Sequence, residues 1–217
     1  MARKLLIVQI FHTGAEMGSV RETLEGISEK LIGKEGWEAH KKRVAEFWEH
    51  MEKLLLERFA TTDFCKLKLY QDAQILNGKI GIKMIEDIAN MGSRNHQLLL
   101  QLIQKGAKLM KTESFELLKE EYMLTKNVLN AKTPEAALIA KNDYKARKDS
   151  LLDERDKYIA KNIDRSLKDE EIGIIFIGAI HRIERYLPND IKIEYLEDEK
   201  LKKLKKEILE VIAKTRL

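Results

Sequence analysis

Two histidines and a handful of carboxylates carry most of the chemistry open to this chain. His181 follows the run "GIIFIGAIH", His12 follows "KLLIVQIF" with Glu16 four residues on, Asp72 closes "FCKLKLYQD", and Thr112 and Glu113 follow "AKLM". Each comes after a stretch that reads as a strand, and ligands of open α/β sheets bind outside the carboxyl ends of the strands. Two imidazoles and three carboxylates reaching one edge make a candidate divalent-metal or acid–base site. They are the nitrogen and oxygen donors that Zn, Mn or Fe accept, and they exchange protons near neutral pH. His12 and His181 are the candidate metal ligands and, with Glu16, candidate catalytic groups. Asp72 and Glu113 are candidate substrate-binding residues, with turn and cap roles as the alternative.

An arginine joins this set through helix periodicity. In "SLLDERDKYIAKNI", Leu151, Leu152, Tyr158, Ile159 and Ile163 form one apolar face, and at 100° per residue Arg155 falls near its centre, as does Asn162. An arginine aimed at a core needs partners, because an unpaired buried charge is prohibitively costly. Two readings stay open: an ion pair that fixes the helix on the sheet, or an arginine that holds substrate charge or a developing oxyanion. Glu154 and Asp156 flank the face, Asp153 looks outward, and Glu154 is a further candidate substrate-binding residue. His40, His50 and His96 sit in or near amphipathic helices and read as solvated or capping residues.

The elements that must position these groups follow from pattern. Lys4–Phe11 and Gly173–Ile177 have no polar side, as expected of strands covered on both faces in a parallel sheet. Phe64–Asp72 alternates, "AKLMKTES" holds a short strand, and "IKIEYL" from Ile191 is another. Between them, Ser19 and Glu22 have capping-box spacing ahead of a helix from about Val20 to Leu31, after which Gly33 and Gly36 break the chain. A second helix, Glu38–Phe59, carries Val44, Phe47, Trp48, Met51, Leu55 and Phe59 on one stripe. Helices are expected at about Ile82–Asn90 and Arg94–Lys105, the latter capped by Ser93. Thr133-Pro134 opens another that runs to about Leu167, long enough for part of it to project, and a Lys/Glu-rich helix ends the chain. Strands alternating with helices define the expected fold class: α/β, with a largely parallel central sheet, flanking helices and a helical insert or cap, the helices at about 36–60 and 113–150 forming a helical layer or cap, all within one domain spanning 1–217.

Composition narrows the function. Lys and Arg number 40 against 36 Asp and Glu, so the net charge of +4 is a mixed surface charge and not a nucleic-acid footprint. Charged residues reach 35%, above the roughly 25% of average domains, and the Lys/Glu excess is a thermophilic signature. Cys65 is the one cysteine and reads as a small buried hydrophobe, with no intrachain disulfide open to it. No run approaches the roughly 18 to 20 apolar residues of a membrane span, and the expected location is cytoplasmic. There is no P-loop, G-x-G-x-x-G, C-x-x-C or G-x-S-x-G, so nucleotide-dependent and serine-hydrolase readings lose most of their support.

Three segments in order, "IFHTGAEMG", "DERDKYIAKNI" and "IIFIGAIH", resemble the TraB-like, erythromycin-esterase and ChaN-like superfamily. That group includes metal-dependent proteases of the Tiki kind, macrolide esterases and haem-binding lipoproteins. The resemblance implies an α/β fold whose site gathers the first-strand loop, the helix arginine and the histidine of a late G-x-x-H. Gly178 and His181 match that motif, Glu154 and Arg155 match the E-R pair, and His12 and Glu16 match more loosely, since H-T-G-A-E stands where family members carry G-x-x-H or G-E-x-H-G. The expectation is a hydrolase acting on a small-molecule or peptide substrate, with a divalent metal or with His/Glu chemistry alone, and a homo-oligomer is left open. The alternative is a non-catalytic sensing or interaction module that binds a small anionic ligand or a protein partner. A metal or a polar cluster open to solvent would favour the first, and Arg155 closed in a buried ion pair the second.

Overall fold

A computed structural model describes residues 3–11 and 21–215. Five strands, β1 (Arg3–Ile10), β2 (Leu67–Gln71), β3 (Lys108–Leu109), β4 (Ile172–Gly178) and β5 (Ile191–Tyr195), form one sheet in the order β3-β2-β4-β1-β5. Every pairing is parallel, so the fold is α/β as expected. β4 lies between β2 and β1, which explains its apolar run: Ile174, Ile175, Phe176 and Ile177 are all buried. Alternation sends Leu6, Val8, Leu67, Leu69, Ile174 and Phe176 to one face, and Leu5, Ile7, Tyr70, Ile175 and Ile177 to the other.

The first face is covered by α1 (Arg21–Arg58), α2 (Gly78–Asn90), α3 (Arg94–Gln104) and α6 (Glu199–Thr215). The stripe expected between residues 38 and 59 is buried at Phe47, Trp48, Met51, Leu55 and Phe59, with Val44 packed beside it. That helix is therefore a core layer and not a cap. Gly33 kinks α1 with a φ of 76° that favours glycine, whereas Gly36 stays helical and breaks nothing. Ser19 of the expected capping box, and Val20 where its helix is expected to begin, lie outside the described residues. Ser93 caps α3 by accepting a hydrogen bond from the His96 amide at 3.3 Å, and Thr133 caps α5 by accepting from the Ala136 amide at 3.1 Å.

The second face is covered by α5 (Pro134–Ser166) through Ile159 and Ile163, with Leu167 and Ile183 beside them. All the buried residues of α5 lie between Leu151 and Ile163, and α4 (Phe115–Asn130) buries none. The first half of α5 and α4 thus form a helical hairpin with little buried surface, in keeping with the expected projection. Gly173 lets the side chains of Leu5 and Tyr70 close over β4: a Cβ there would meet Leu5 Cδ1 at 2.8 Å and Tyr70 Cε2 at 3.2 Å. Three exposures differ from expectation. Cys65 is exposed, in a 3-10 turn (Phe64–Lys66) where a strand is expected. His40 is buried against Trp37, with ring centroids 5.3 Å apart, and His96 is buried against Ser93. No helix among the described residues is long and apolar enough to cross a membrane.

Candidate functional site

The chain leaves β2 toward β3 over the first face and leaves β4 toward β5 in the opposite direction, so the carboxyl ends of these adjacent strands form the divergence point, or topological crevice, of the sheet. Such divergence points are where open α/β sheets bind ligands. Asp72 follows β2 on the same face as Tyr70, its amide donating to the Phe176 carbonyl at 2.8 Å. Ala73 then adopts a φ of 63°, an uncommon conformation for a residue with a Cβ, of the kind stored at functional edges at a cost on the order of 1 kcal/mol. This turn presents the Gln74 carbonyl to the amides of Thr112 and Glu113, at 2.8 and 3.0 Å. Thr112 Oγ1 in turn accepts from the Gln71 amide at 3.1 Å. The ends of β2 and β3 are thereby stitched together, and Glu113 is set beside Asp72 just ahead of Ser114, the cap of α4.

Arg155 enters this cluster from α5, as its helical phase predicts, and is 4% exposed. Its Nη2 donates to Asp72 Oδ1 at 2.8 Å and to Glu113 Oε1 at 2.5 Å, Nε donates to Glu113 Oε1 at 3.1 Å, and Nη1 donates to Glu121 Oε2 at 2.7 Å. Burial works against the Arg155 charge, but these carboxylates outweigh it and raise its pKa. Asn162, on the same helix face, donates to the Thr112 carbonyl at 3.0 Å and ties α5 to the turn that carries Glu113.

His181 arrives from β4. Its Nδ1 lies 2.5 Å from Asp156 Oδ1, the second Asp156 oxygen accepts from the Arg182 amide at 2.8 Å, and Nε2 lies 3.5 Å from Asp72 Oδ2. The Gly178 amide also donates to Asp72 Oδ2, at 3.1 Å. Burial lowers the imidazole's pKa, yet the hydrogen bonds to Asp156 and Asp72 more than reverse this and push it up to about 9. Glu113 is 0% exposed and its Oε2 is buried without a hydrogen-bond partner. Desolvation, only partly offset by Arg155 and reinforced by Asp72, raises its pKa to about 7.

Asp72, Glu113 and His181 each offer a ligand atom within 4.8 Å of the other two, and together they could hold a metal ion. Two observations fit such a guest. The Glu113 Oε2 is an acceptor with nothing to accept, and Asp156 fixes the His181 ring through Nδ1, leaving Nε2 directed at the other two donors. A carboxylate behind the far ring nitrogen is the usual support of a metal-binding histidine.

The expected residues are therefore divided. Asp72, Glu113, Arg155 and His181 share one buried cluster, and the first two stand as candidate ligands as well as substrate contacts. Glu154 does not join them: it is exposed and held by Arg147, with Glu120 on the other side of that arginine. His12 and Glu16 lie outside the described residues, and with them the proposed pairing of His12 and His181 on one metal. Two members were missed. Helical phase sets Asp156 only at the flank of the apolar face, yet its position next to Arg155 brings it close enough to the core to be buried. Glu121 lies on a helix whose docking no local pattern reveals. No protein-family model matches the chain, and no curated protein and no solved structure matches it.

Proposed function

We propose that the crevice between β2 and β4 is a hydrolytic centre for a small-molecule or peptide substrate, with Asp72, Glu113 and His181 holding one divalent cation of the Zn, Mn or Fe class. The observation that carries the reading is the buried, unpartnered Glu113 Oε2 beside Asp72 and His181. Charge supports it: four carboxylates, those of Asp72, Glu113, Glu121 and Asp156, gather around Arg155 and His181, an acidic setting that favours a cation. When bound, such a metal supplies Lewis acidity and brings the pKa of water near neutrality. Arg155 holds Asp72 Oδ1 and Glu113 Oε1 and so fixes how both carboxylates present their second oxygens. Asp156 fixes the His181 tautomer.

The resemblance to the TraB-like, erythromycin-esterase and ChaN-like superfamily belongs to this proposal. It draws support from the meeting of its helix arginine and its G-x-x-H histidine on a single carboxylate, that of Asp72. The binding-module alternative also has an observation in its favour, the near-complete burial of Arg155 in ion pairs. Elemental analysis and a screen of ester and peptide substrates on wild type, Glu113→Gln and His181→Ala decide between them. The hydrolase reading expects a stoichiometric divalent metal and turnover in wild type, both lost in the two variants. A folded, metal-loadable wild type with no turnover would leave the module, and a protein that takes no metal would remove the proposed centre.

A further inference from the structure

The three anions on Arg155 are not equivalent. Asp72 and Glu113 have side chains 5% and 0% exposed and belong to strand-end turns stitched to each other by backbone hydrogen bonds. Those two buried carboxylates already exceed the arginine's single charge. Glu121 is therefore not needed for charge compensation. Its side chain is 39% exposed, it binds through one oxygen to Nη1 alone, and it sits on α4, a helix with no buried residue. An ion pair with one partner in solvent is weakly held, whereas the two buried pairs cannot be opened without stranding charge. Nη1 is thus the one corner of the guanidinium whose anion can be exchanged while the rest of the network stays intact.

We propose that Glu121 is a displaceable stand-in for a carboxylate of the ligand, and that Arg155 Nη1 is the subsite that recognises it. The inference rests on the reading above in placing substrate at this edge, and it deepens that reading by naming the ligand class, a small molecule or peptide bearing a free carboxylate. A carboxylate is favoured because the group to be replaced is itself a carboxylate that meets Nη1 with a single oxygen at 2.7 Å. Divalent metal on Asp72 and Glu113 strengthens the exchange, since it draws off the negative charge that otherwise satisfies Arg155.

The test is a titration of the intact protein with acetate at constant ionic strength set by chloride, read by the ¹H–¹⁵N resonance of the Arg155 Nε–H, for wild type, Glu121→Gln and Arg155→Lys. Inorganic phosphate forms a second arm, and metal content is measured on the same samples. The proposal expects a saturable shift in wild type and about tenfold tighter acetate binding in Glu121→Gln, whose neutral amide competes less well for Nη1. In Arg155→Lys, whose single ammonium replaces the fork, acetate no longer protects the fold against thermal unfolding as it does in Glu121→Gln. No saturable shift in wild type, or equal affinity in wild type and Glu121→Gln, overturns the subsite. Phosphate binding more tightly than acetate overturns the carboxylate assignment. Stoichiometric metal without an acetate response would remove this inference and spare the hydrolytic reading, while an acetate response in a protein that takes no metal would do the reverse.

Discussion

Arg147 and Arg155 stand two turns apart on α5, and each reaches a glutamate of α4, Glu120 in one case and Glu121 in the other. Arg147 completes its shell with Glu154 on its own helix, and its side chain is 30% exposed, with partners 41% and 45% exposed. Arg155 completes its shell with Asp72 and Glu113, and its side chain is 5% exposed. The chemistry of the pairs is the same; the solvent is not. At Arg147 water can replace any lost partner, so the pair staples a hairpin and little more. At Arg155 loss of Asp72 or Glu113 strands a charge in a medium that cannot solvate it, so the buried part of the network is held together by its own cost of failure.

The largest effect should come from breaking the buried set. Arg155→Ala removes the guanidinium that Asp72 and Glu113 share, and is expected to destabilise the chain by about 3–5 kcal/mol in chemical denaturation. A change under about 1 kcal/mol would show that Arg155 behaves like its surface counterpart. Asp72→Asn is next. It removes one of two buried partners of Arg155 and the carboxylate facing His181 Nε2, and should cost less than Arg155→Ala while lowering the His181 pKa, as followed by imidazole NMR.

A third prediction concerns pH in the metal-free protein. Glu113 and His181 both have pKa values raised by folding, to about 7 and about 9, so the folded state binds more protons than the unfolded one. The Glu113 contribution is complete below the ordinary glutamate value of 4.5 and is lost as pH rises through about 7. The His181 contribution is complete below 6.5 and is lost as pH rises through about 9. Stability should therefore decline from weak acid toward pH 9, and saturating divalent metal should reduce the decline by displacing the same protons. Stability that rises across this interval would contradict both assignments. The smallest effect is expected for Arg147→Ala, which should fall within the error of a denaturation curve and vanish in high salt, where exposed pairs are screened.

The same contrast accounts for what the sequence could disclose. Strands, caps and the phase of α5 are local properties, and Ser93, Thr133, the apolar run of β4 and the inward aim of Arg155 were all readable from neighbouring residues. Asp72, Glu113 and His181 were readable at one remove, because parallel strands deliver their following residues to one edge. Contacts set by docking were not. Glu121 meets Arg155 only because α4 folds back on α5, and Glu154, its neighbour in the E-R pair, is drawn outward to Arg147. The burial of His40 and His96 and the exposure of Cys65 likewise depend on which helix faces meet, and a single chain's spacing does not encode that directly. Gly36 shows the converse error: a glycine was read as a break where helical backbone simply continues.

The central claim is that the β2–β4 crevice is built around a cation, and crystals soaked with Mn or Zn after chelator treatment test it most directly through anomalous scattering. The account predicts one anomalous peak per chain between Asp72, Glu113 Oε2 and His181 Nε2, with the Arg155 contacts to Asp72 Oδ1 and Glu113 Oε1 retained. A crevice without a peak, with Glu113 Oε2 hydrogen-bonded to protein or water instead, would contradict it.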